Sequence, residues 1–225
     1  MIRAVLFDAA GTLIELVEPV GETYARHAAR QGLAISPWRL TDAFTRAVGQ
    51  APLPAVPHTD APERREVERD WWRDVVRRTF LAADSDRRAP DFEALFAGLW
   101  DAYSSATHWR ARAGALALLD RLRERGLLTA VVSNFDSRLG GLLGELGIAA
   151  RLDAIVLGSD AGVAKPAPAI FRFALERLQV APTQAVFVGD DPERDLAGAR
   201  AAGLLAIDVN ALATLTELQL PEGTA

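Results

Sequence analysis

The sequence predicts an α/β protein: a doubly wound parallel sheet with an all-helical region inserted after its first strand. Three observations lead there. Five short apolar runs, at Ile2–Phe7, Leu127–Val132, Ala154–Leu157, Ala185–Val188 and Leu204–Val209, are rich in Val, Ile and Leu and do not alternate with polar residues, as expected of strands buried on both faces. Helix-period segments separate the last four runs, the rhythm of a parallel sheet with crossover helices. Residues 15–108 break that rhythm, with helical patterns and no convincing strand.

Each element has its own local signal. Gly114–Arg125 sets Leu116, Leu119 and Leu122 on one face and stops at Gly126, a residue suited to helix ends. Ser137–Leu146 stops at Gly147, Ala169–Leu178 follows Pro166 and Pro168, and Asp195–Ala202 stops at Gly203. In the inserted region Gly21–Gln31, Leu40–Val48, Glu63–Leu81 and Phe92–Tyr103 read as helices. The proline-rich stretch 51–58 is neither regular helix nor inner strand, and serves as a connector or a lid. The expected division is a core of residues 1–14 and 109–225 and a helical cap of residues 15–108. The tail after Leu220 is expected to fray.

Composition narrows the function classes. The 225 residues are 50% hydrophobic and 24% charged, enough to bury a core without staples. Cysteine is absent, which excludes a disulfide framework, a thiolate nucleophile and cysteine metal sites. His27, His58 and His108 are scattered and make no zinc motif. The net charge of −5 leaves no basic footprint for nucleic acid. No run of eighteen apolar residues and no charged leader appear. The expectation is a soluble cytoplasmic monomer or homodimer that acts on a small molecule and binds neither nucleic acid nor membrane.

The candidate chemistry sits just past the strands, where open parallel sheets bind ligands. Of 25 basic residues, all but Lys165 are arginine. Arg is a planar fork and Lys a compact ammonium, so a site that needs a point charge against a carboxylate and a phosphate would refuse Arg. The first run ends in Asp8-Ala9-Ala10-Gly11-Thr12, the second in Ser133-Asn134, and the fourth in Gly189-Asp190-Asp191, with Asp195 shortly after. An Asp after a strand is commonly only a turn or cap residue; the ordered set is the stronger signal. Crowded carboxylates raise one another's pKa unless a cation intervenes. Lys165 supplies one positive charge, and Mg²⁺ suits carboxylates plus a substrate phosphate. Asp8 is then a plausible nucleophile, Lys165 its electrostatic partner, and Gly11, Thr12, Ser133 and Asn134 the candidates for holding phosphate oxygens.

These motifs resemble the haloacid dehalogenase-like hydrolase superfamily, and the resemblance spans nearly the whole chain. Phe7-Asp8-Ala9-Ala10-Gly11-Thr12-Leu13 is similar to its nucleophile motif, Val132-Ser133-Asn134-Phe135-Asp136 to its phosphate-contacting motif, Gly162-Val163-Ala164-Lys165-Pro166 to its lysine motif, and Gly189-Asp190-Asp191-Pro192-Glu193-Arg194-Asp195 to its acidic metal motif. The resemblance implies a Rossmann-like core with a helical cap that opens and closes over the strand ends. It also implies a Mg²⁺-dependent phosphatase with Asp8 as covalent nucleophile, Ser133 on the phosphate, and metal ligands from Asp8, Asp190 and the Ala10 carbonyl. Asp191 and Asp195 would support the metal from nearby, and a small phosphorylated metabolite would be the substrate.

One departure qualifies the expectation. Family phosphatases carry an acid–base Asp two residues after the nucleophile, and here that residue is Ala10. General acid–base groups contribute ~10² to 10⁴ in rate, or ~3 to 5 kcal/mol. Three readings stay open: a weakened or specialised phosphatase favouring leaving groups that need no proton, a 2-haloacid dehalogenase-like enzyme acting at carbon, and a degraded binding or regulatory module. The metal-suited acidic motif counts against the second. Phosphonate hydrolases of the family also place Ala at this position but use a lysine in the cap, and this cap has none, so the resemblance does not imply that activity.

In the cap, Trp71-Trp72 are expected to divide between core and interface rather than line a pocket. Arg64, Arg65, Arg69 and Arg73, interleaved with Glu63, Glu66, Glu68 and Asp70, are expected to form a solvated helix face. His108 and Trp109 are expected to pack the hinge, and Asp136 to cap the following helix.

Overall fold

In the computed structural model, which describes residues 1–51, 61–84, 86 and 88–221, the first apolar run becomes β1 (Ala4–Phe7), buried along its whole length. A short β2 (Ile14–Leu16) follows, then α1 (Val20–Arg30), α2 (Pro37–Gln50), α3 (Ala61–Ala83) and α4 (Phe92–Ser104), and a short β3 (Trp109–Ala111) that pairs with β2. Thereafter helix and strand alternate: α5 (Ala115–Glu124), β4 (Leu128–Ser133), α6 (Leu139–Glu145), β5 (Ala154–Leu157), a single turn α7 (Gly158–Ala161), α8 (Pro168–Leu178), β6 (Ala185–Gly189), α9 (Gly198–Ala201) and β7 (Leu205–Asp208). The chain divides into two units, residues 1–15 with 110–225, and residues 16–109.

The first unit is built on a five-stranded sheet of order β5-β4-β1-β6-β7, parallel throughout. Phe7 lies in register with Val131 on one side and Val188 on the other. The order runs outward from β1 in both directions, so the topological switch point of a doubly wound sheet falls beside β1. This architecture agrees with the sequence reading, and its physical origin is the apolar runs: β1, β4 and β6 are almost entirely buried, and only strands covered on both faces satisfy such composition. One layer of the core forms where α8 meets the sheet. Phe171 and Phe187 are both fully buried and meet edge to face at 5.0 Å and 82°, the arrangement the ring quadrupoles favour. Gly198 lets α9 approach closely, since a Cβ there would lie 2.8 Å from both the Phe171 ring and the Pro166 carbonyl.

Two elements differ from expectation. The three-residue strands β2 and β3 were not legible, because each mixes polar and apolar residues and only their mutual pairing defines them. The helix expected from Asp195 begins earlier, with a π-helical turn over Pro192–Ala197. The Asp191 side chain caps it by accepting from the Glu193 and Arg194 N–H groups, and the Asp195 and Leu196 N–H groups both donate to the Asp191 carbonyl. Such widened turns are rare and recur at functional sites.

The helical unit has its own apolar core. Tyr24 is buried between an edge contact with Phe44 at 5.6 Å and a stacked contact with Phe80 at 5.8 Å. Trp71 and Trp72 are both half-buried and meet edge to face, and Trp72 stacks on Phe44. The α3 face expected to be solvated is only partly so. Glu68 is buried, and Arg69 and Arg73 lie over the Phe96 ring at 5.7 and 5.4 Å, because α4 turns an aromatic stripe toward them. His108 and Trp109 pack on Tyr103, whose carbonyl accepts from the Trp109 indole. Most of the proline-rich stretch, including His58, lies outside the described residues. Among the described residues no helix is long and apolar enough to cross a membrane.

Truncating Phe171 to Ala removes one of the two rings at the centre of the first unit. The expected cost is ~3–5 kcal/mol, read as a lower denaturant midpoint with an unchanged m-value.

Candidate active site

The carboxyl ends of β1, β4 and β6 bring Asp8, Ser133 and Asp190 to one edge of the sheet, and the loop between α7 and α8 adds Lys165. The Lys165 Nζ lies 2.5 Å from Asp8 Oδ1 and 2.6 Å from Asp195 Oδ1. Exposure of Asp8, Lys165 and Asp195 is only 7%, 4% and 1%. A buried ammonium is tolerable only when paired and hydrogen-bonded, and here two carboxylates from different elements do both.

Backbone geometry crowds these groups together. After Asp8 the chain turns tightly: the Leu13 and Ile14 N–H groups donate to the Ala9 carbonyl, and Gly11 N–H to the Ile14 carbonyl. Gly11 has φ +95°, and a Cβ there would lie 2.5 Å from Asp190 Oδ2. Gly189 plays the same part on the other side, where a Cβ would lie 2.5 Å from Asp195 Oδ2. Only glycine allows both carboxylates so near the strand ends.

The expected site residues take distinct positions. Asp8, Lys165, Asp190 and Asp195 come together. Asp195 Oδ2 accepts from the Asp190 and Asp191 N–H groups, so Asp195 ties the turn after β6 to the Lys165 ammonium. The Asp191 side chain faces its own helical turn as a cap and stays outside the cluster. Thr12 is fully buried and its hydroxyl donates to Asp190 Oδ1 at 3.2 Å, a carboxylate contact rather than a free phosphate ligand. Ser133 is buried and its Oγ accepts from the Phe135 N–H. Asn134 bonds the backbone of Lys165 with both ends of its amide. Asp136 accepts from the Arg138 N–H and guanidinium at the start of α6.

Two contributors carried no local signal. The Arg112 guanidinium donates to the Gly11 carbonyl at 2.7 Å, and the Asn210 amide donates to the Asp190 carbonyl at 3.0 Å. Both are distant in sequence and sit in segments with no recognisable motif.

Electrostatics follow from the crowding. Burial pushes the Asp8 carboxyl up to about 6; Lys165 opposes the rise, and Asp195 and Asp190 add to it. Burial also raises Asp190, helped by Asp195 and opposed by the Thr12 hydroxyl. Burial works against the Lys165 ammonium, yet Asp8 and Asp195 together outweigh it and raise its pKa. The two directions are consistent: the ammonium faces two carboxylates, while each carboxylate shares one ammonium with its rivals.

Three carboxylates against one ammonium leave an excess of negative charge that a divalent cation would balance. Asp8, Asp190 and Asp195 can each offer an oxygen within 4.8 Å of the others. Both Asp195 oxygens already accept protein donors. Among the described residues Asp8 Oδ2, Asp190 Oδ2 and the Ala10 carbonyl accept no protein hydrogen bond. These hard oxygen donors fit Mg²⁺.

Comparison with known proteins gives a consistent picture. Residues 2–203 match the model of the haloacid dehalogenase-like hydrolases. The chain is 37% identical over 206 residues to haloacid dehalogenase-like hydrolase domain-containing protein 3 of Homo sapiens, covering 90% of this chain and 80% of that protein. It is 39% identical over 98 residues to phosphoserine phosphatase of Thermus thermophilus, covering 43% of this chain and 39% of that protein. L-2-haloacid dehalogenase from Xanthobacter autotrophicus shares the fold with a TM-score of 0.70 at 24% identity, covering 95% of this chain and 79% of that one.

Because Asp8 takes up a proton near pH 6 in the folded state and near 3.8 otherwise, its charge burdens the metal-free fold above about pH 6. As pH falls from 6 toward 3.8 the folded state gains the proton first and recovers stability. Asp8→Asn is therefore expected to stabilise the chelated protein at pH 8 by ~1–3 kcal/mol. That gain should shrink to about half a kcal/mol near pH 4 and vanish below the ordinary carboxyl value, as read by denaturant unfolding at pH 8 and at pH 4.

Proposed function

Since the chain belongs to the haloacid dehalogenase-like hydrolase family, we propose that it is a Mg²⁺-dependent phosphatase that uses Asp8 as a covalent nucleophile on a small phosphorylated metabolite. One observation carries the reading: the Lys165 ammonium bridges Asp8 and Asp195 beside the open oxygens of Asp8, Asp190 and Ala10. The partial match to a phosphoserine phosphatase supports the same chemistry.

In the proposed reaction Asp8 Oδ1, the oxygen beside the Lys165 ammonium, attacks phosphorus, and Asp8 Oδ2 is the oxygen left to the metal. The bond to the leaving oxygen breaks and its electron pair departs with that group. Lys165 stays beside the attacking oxygen, fixing the carboxylate plane and offsetting charge that gathers on the transferred group. Ser133 and the N–H groups after it are the donors proposed for the phosphoryl oxygens. Water then cleaves the acyl phosphate, releasing inorganic phosphate and restoring the carboxylate. Mg²⁺, held by Asp8, Asp190 and the Ala10 carbonyl, would supply neutralising charge to the incoming phosphate.

Position 10 offers no carboxyl to protonate the leaving group. The loss is ~10² to 10⁴ in rate for leaving groups that need a proton, and small for acyl or aryl phosphates. The enzyme is therefore proposed to be specialised for activated phosphates. The carboxylate cluster speaks against attack at carbon, where no dication is required. The intact Lys165 pairing speaks against a site retained only for binding.

Purified protein should release phosphate from aryl or acyl phosphates with Mg²⁺ and lose that activity with chelator. Asp8→Asn should abolish it; turnover surviving the change would remove Asp8 as nucleophile. Ala10→Asp should raise kcat on alkyl phosphates by ~10²-fold or more, and no gain would mean another group already moves the proton. Halide release from 2-chloropropionate in chelator should be absent.

A further inference from the structure

Lys165 stands on a segment without regular secondary structure, between α7 and α8. Its ammonium must nonetheless sit within hydrogen-bond reach of two buried carboxylates. A long flexible stem does not place itself so, and something must hold the backbone from which it projects. Among the described residues the N–H and carbonyl of Lys165 have one partner each, and both belong to the same side chain. The Lys165 N–H donates to Asn134 Oδ1 at 2.8 Å, and Asn134 Nδ2 donates to the Lys165 carbonyl at 2.9 Å.

We propose that Asn134 is a positioning residue whose amide clamps the backbone of Lys165 and so delivers its ammonium to Asp8, instead of contacting the substrate. The inference rests on the proposed phosphatase reading for its catalytic consequence, but not for its structural one.

The chemistry of the side chain explains the choice. A carboxamide presents one acceptor and one donor on a single plane, the complement of the N–H and carbonyl it meets. Asp at this position would keep the acceptor but set a second oxygen against the Lys165 carbonyl. Ser or Ala would lose at least one of the two bonds. Asn134 can reach because it follows Ser133, the last residue of β4, and β4 pairs directly with β1. The strand that neighbours the nucleophile strand therefore also carries the brace for its cation. One amide hydrogen and the amide oxygen of Asn134 are thus taken up by the Lys165 backbone.

The sequence supplies a direct readout, because Lys165 is its sole lysine. The rate at which acetic anhydride acylates Lys165 is measured by peptide mass spectrometry, with the amine of the exposed Met1 as internal standard. Far- and near-ultraviolet circular dichroism checks that each variant is folded. In the parent protein Lys165 should label slowly. In Asn134→Ala, and in Asn134→Asp, which keeps the volume should the first variant not fold, labelling should rise about tenfold or more as the loop opens. On an aryl phosphate with Mg²⁺, kcat should fall about 10²-fold while KM stays within about twofold.

Labelling as slow as in the parent would overturn the clamp, as would a rise in KM with kcat retained, which would return Asn134 to the substrate. If the parent hydrolyses no phosphate, the phosphatase reading fails while the labelling result still decides the role of Asn134.

Discussion

A lysine ammonium removed from water is unfavourable unless its partners restore what hydration supplied. Lys165 meets that condition with a carboxylate from the end of β1 and another from the turn after β6. Much of the site's arrangement follows. The turn after β6 widens into a π-helical turn around Asp195, and Asp195 reaches Lys165 with one oxygen while holding the Asp190 and Asp191 amides with the other. Removing the ammonium itself would leave the crowded carboxylates without a buried cation, which is far more costly than never having buried them.

The same crowding makes the site a strained investment of the fold. Three carboxylates compete for one ammonium, and burial holds Asp8 and Asp190 above the ordinary carboxylate range. Gly11 and Gly189 bring backbone to within a distance that any Cβ would forbid. Functional sites commonly break local rules that the surrounding structure then over-determines. Here that surrounding structure is the parallel sheet: β1 is flanked by β4 and β6 in fixed register, and its buried apolar side chains leave the polar chemistry to the strand ends.

The helical unit follows a different logic. Its stability comes from aromatic packing about Tyr24 and from guanidinium groups of α3 over the Phe92 and Phe96 rings. A helix rich in Arg and Glu looks like a solvated face from sequence periodicity alone. An adjacent aromatic stripe converts part of it into packing surface, with the Arg stems and planar heads covering the rings. The helical unit thus uses arginine as packing surface over its rings.

The alternation of buried apolar runs with helix-period segments was enough to determine the doubly wound sheet, because strand and helix periods are local properties. The strand-end motifs and the solitary Lys165 were likewise visible, since each lies in a short contiguous stretch. Tertiary structure alone decided what those side chains touch. Asp191 and Asp195 are four residues apart and read alike, yet one caps a turn and the other enters the cluster. Arg112 and Asn210 reach the site from 101 and 20 residues away from their partners. Asn134 looks like a free polar group until the loop bearing Lys165 folds against it. Periodicity reports which face of an element is buried, whereas the partner of a hydrogen bond depends on which distant segments the sheet order brings side by side.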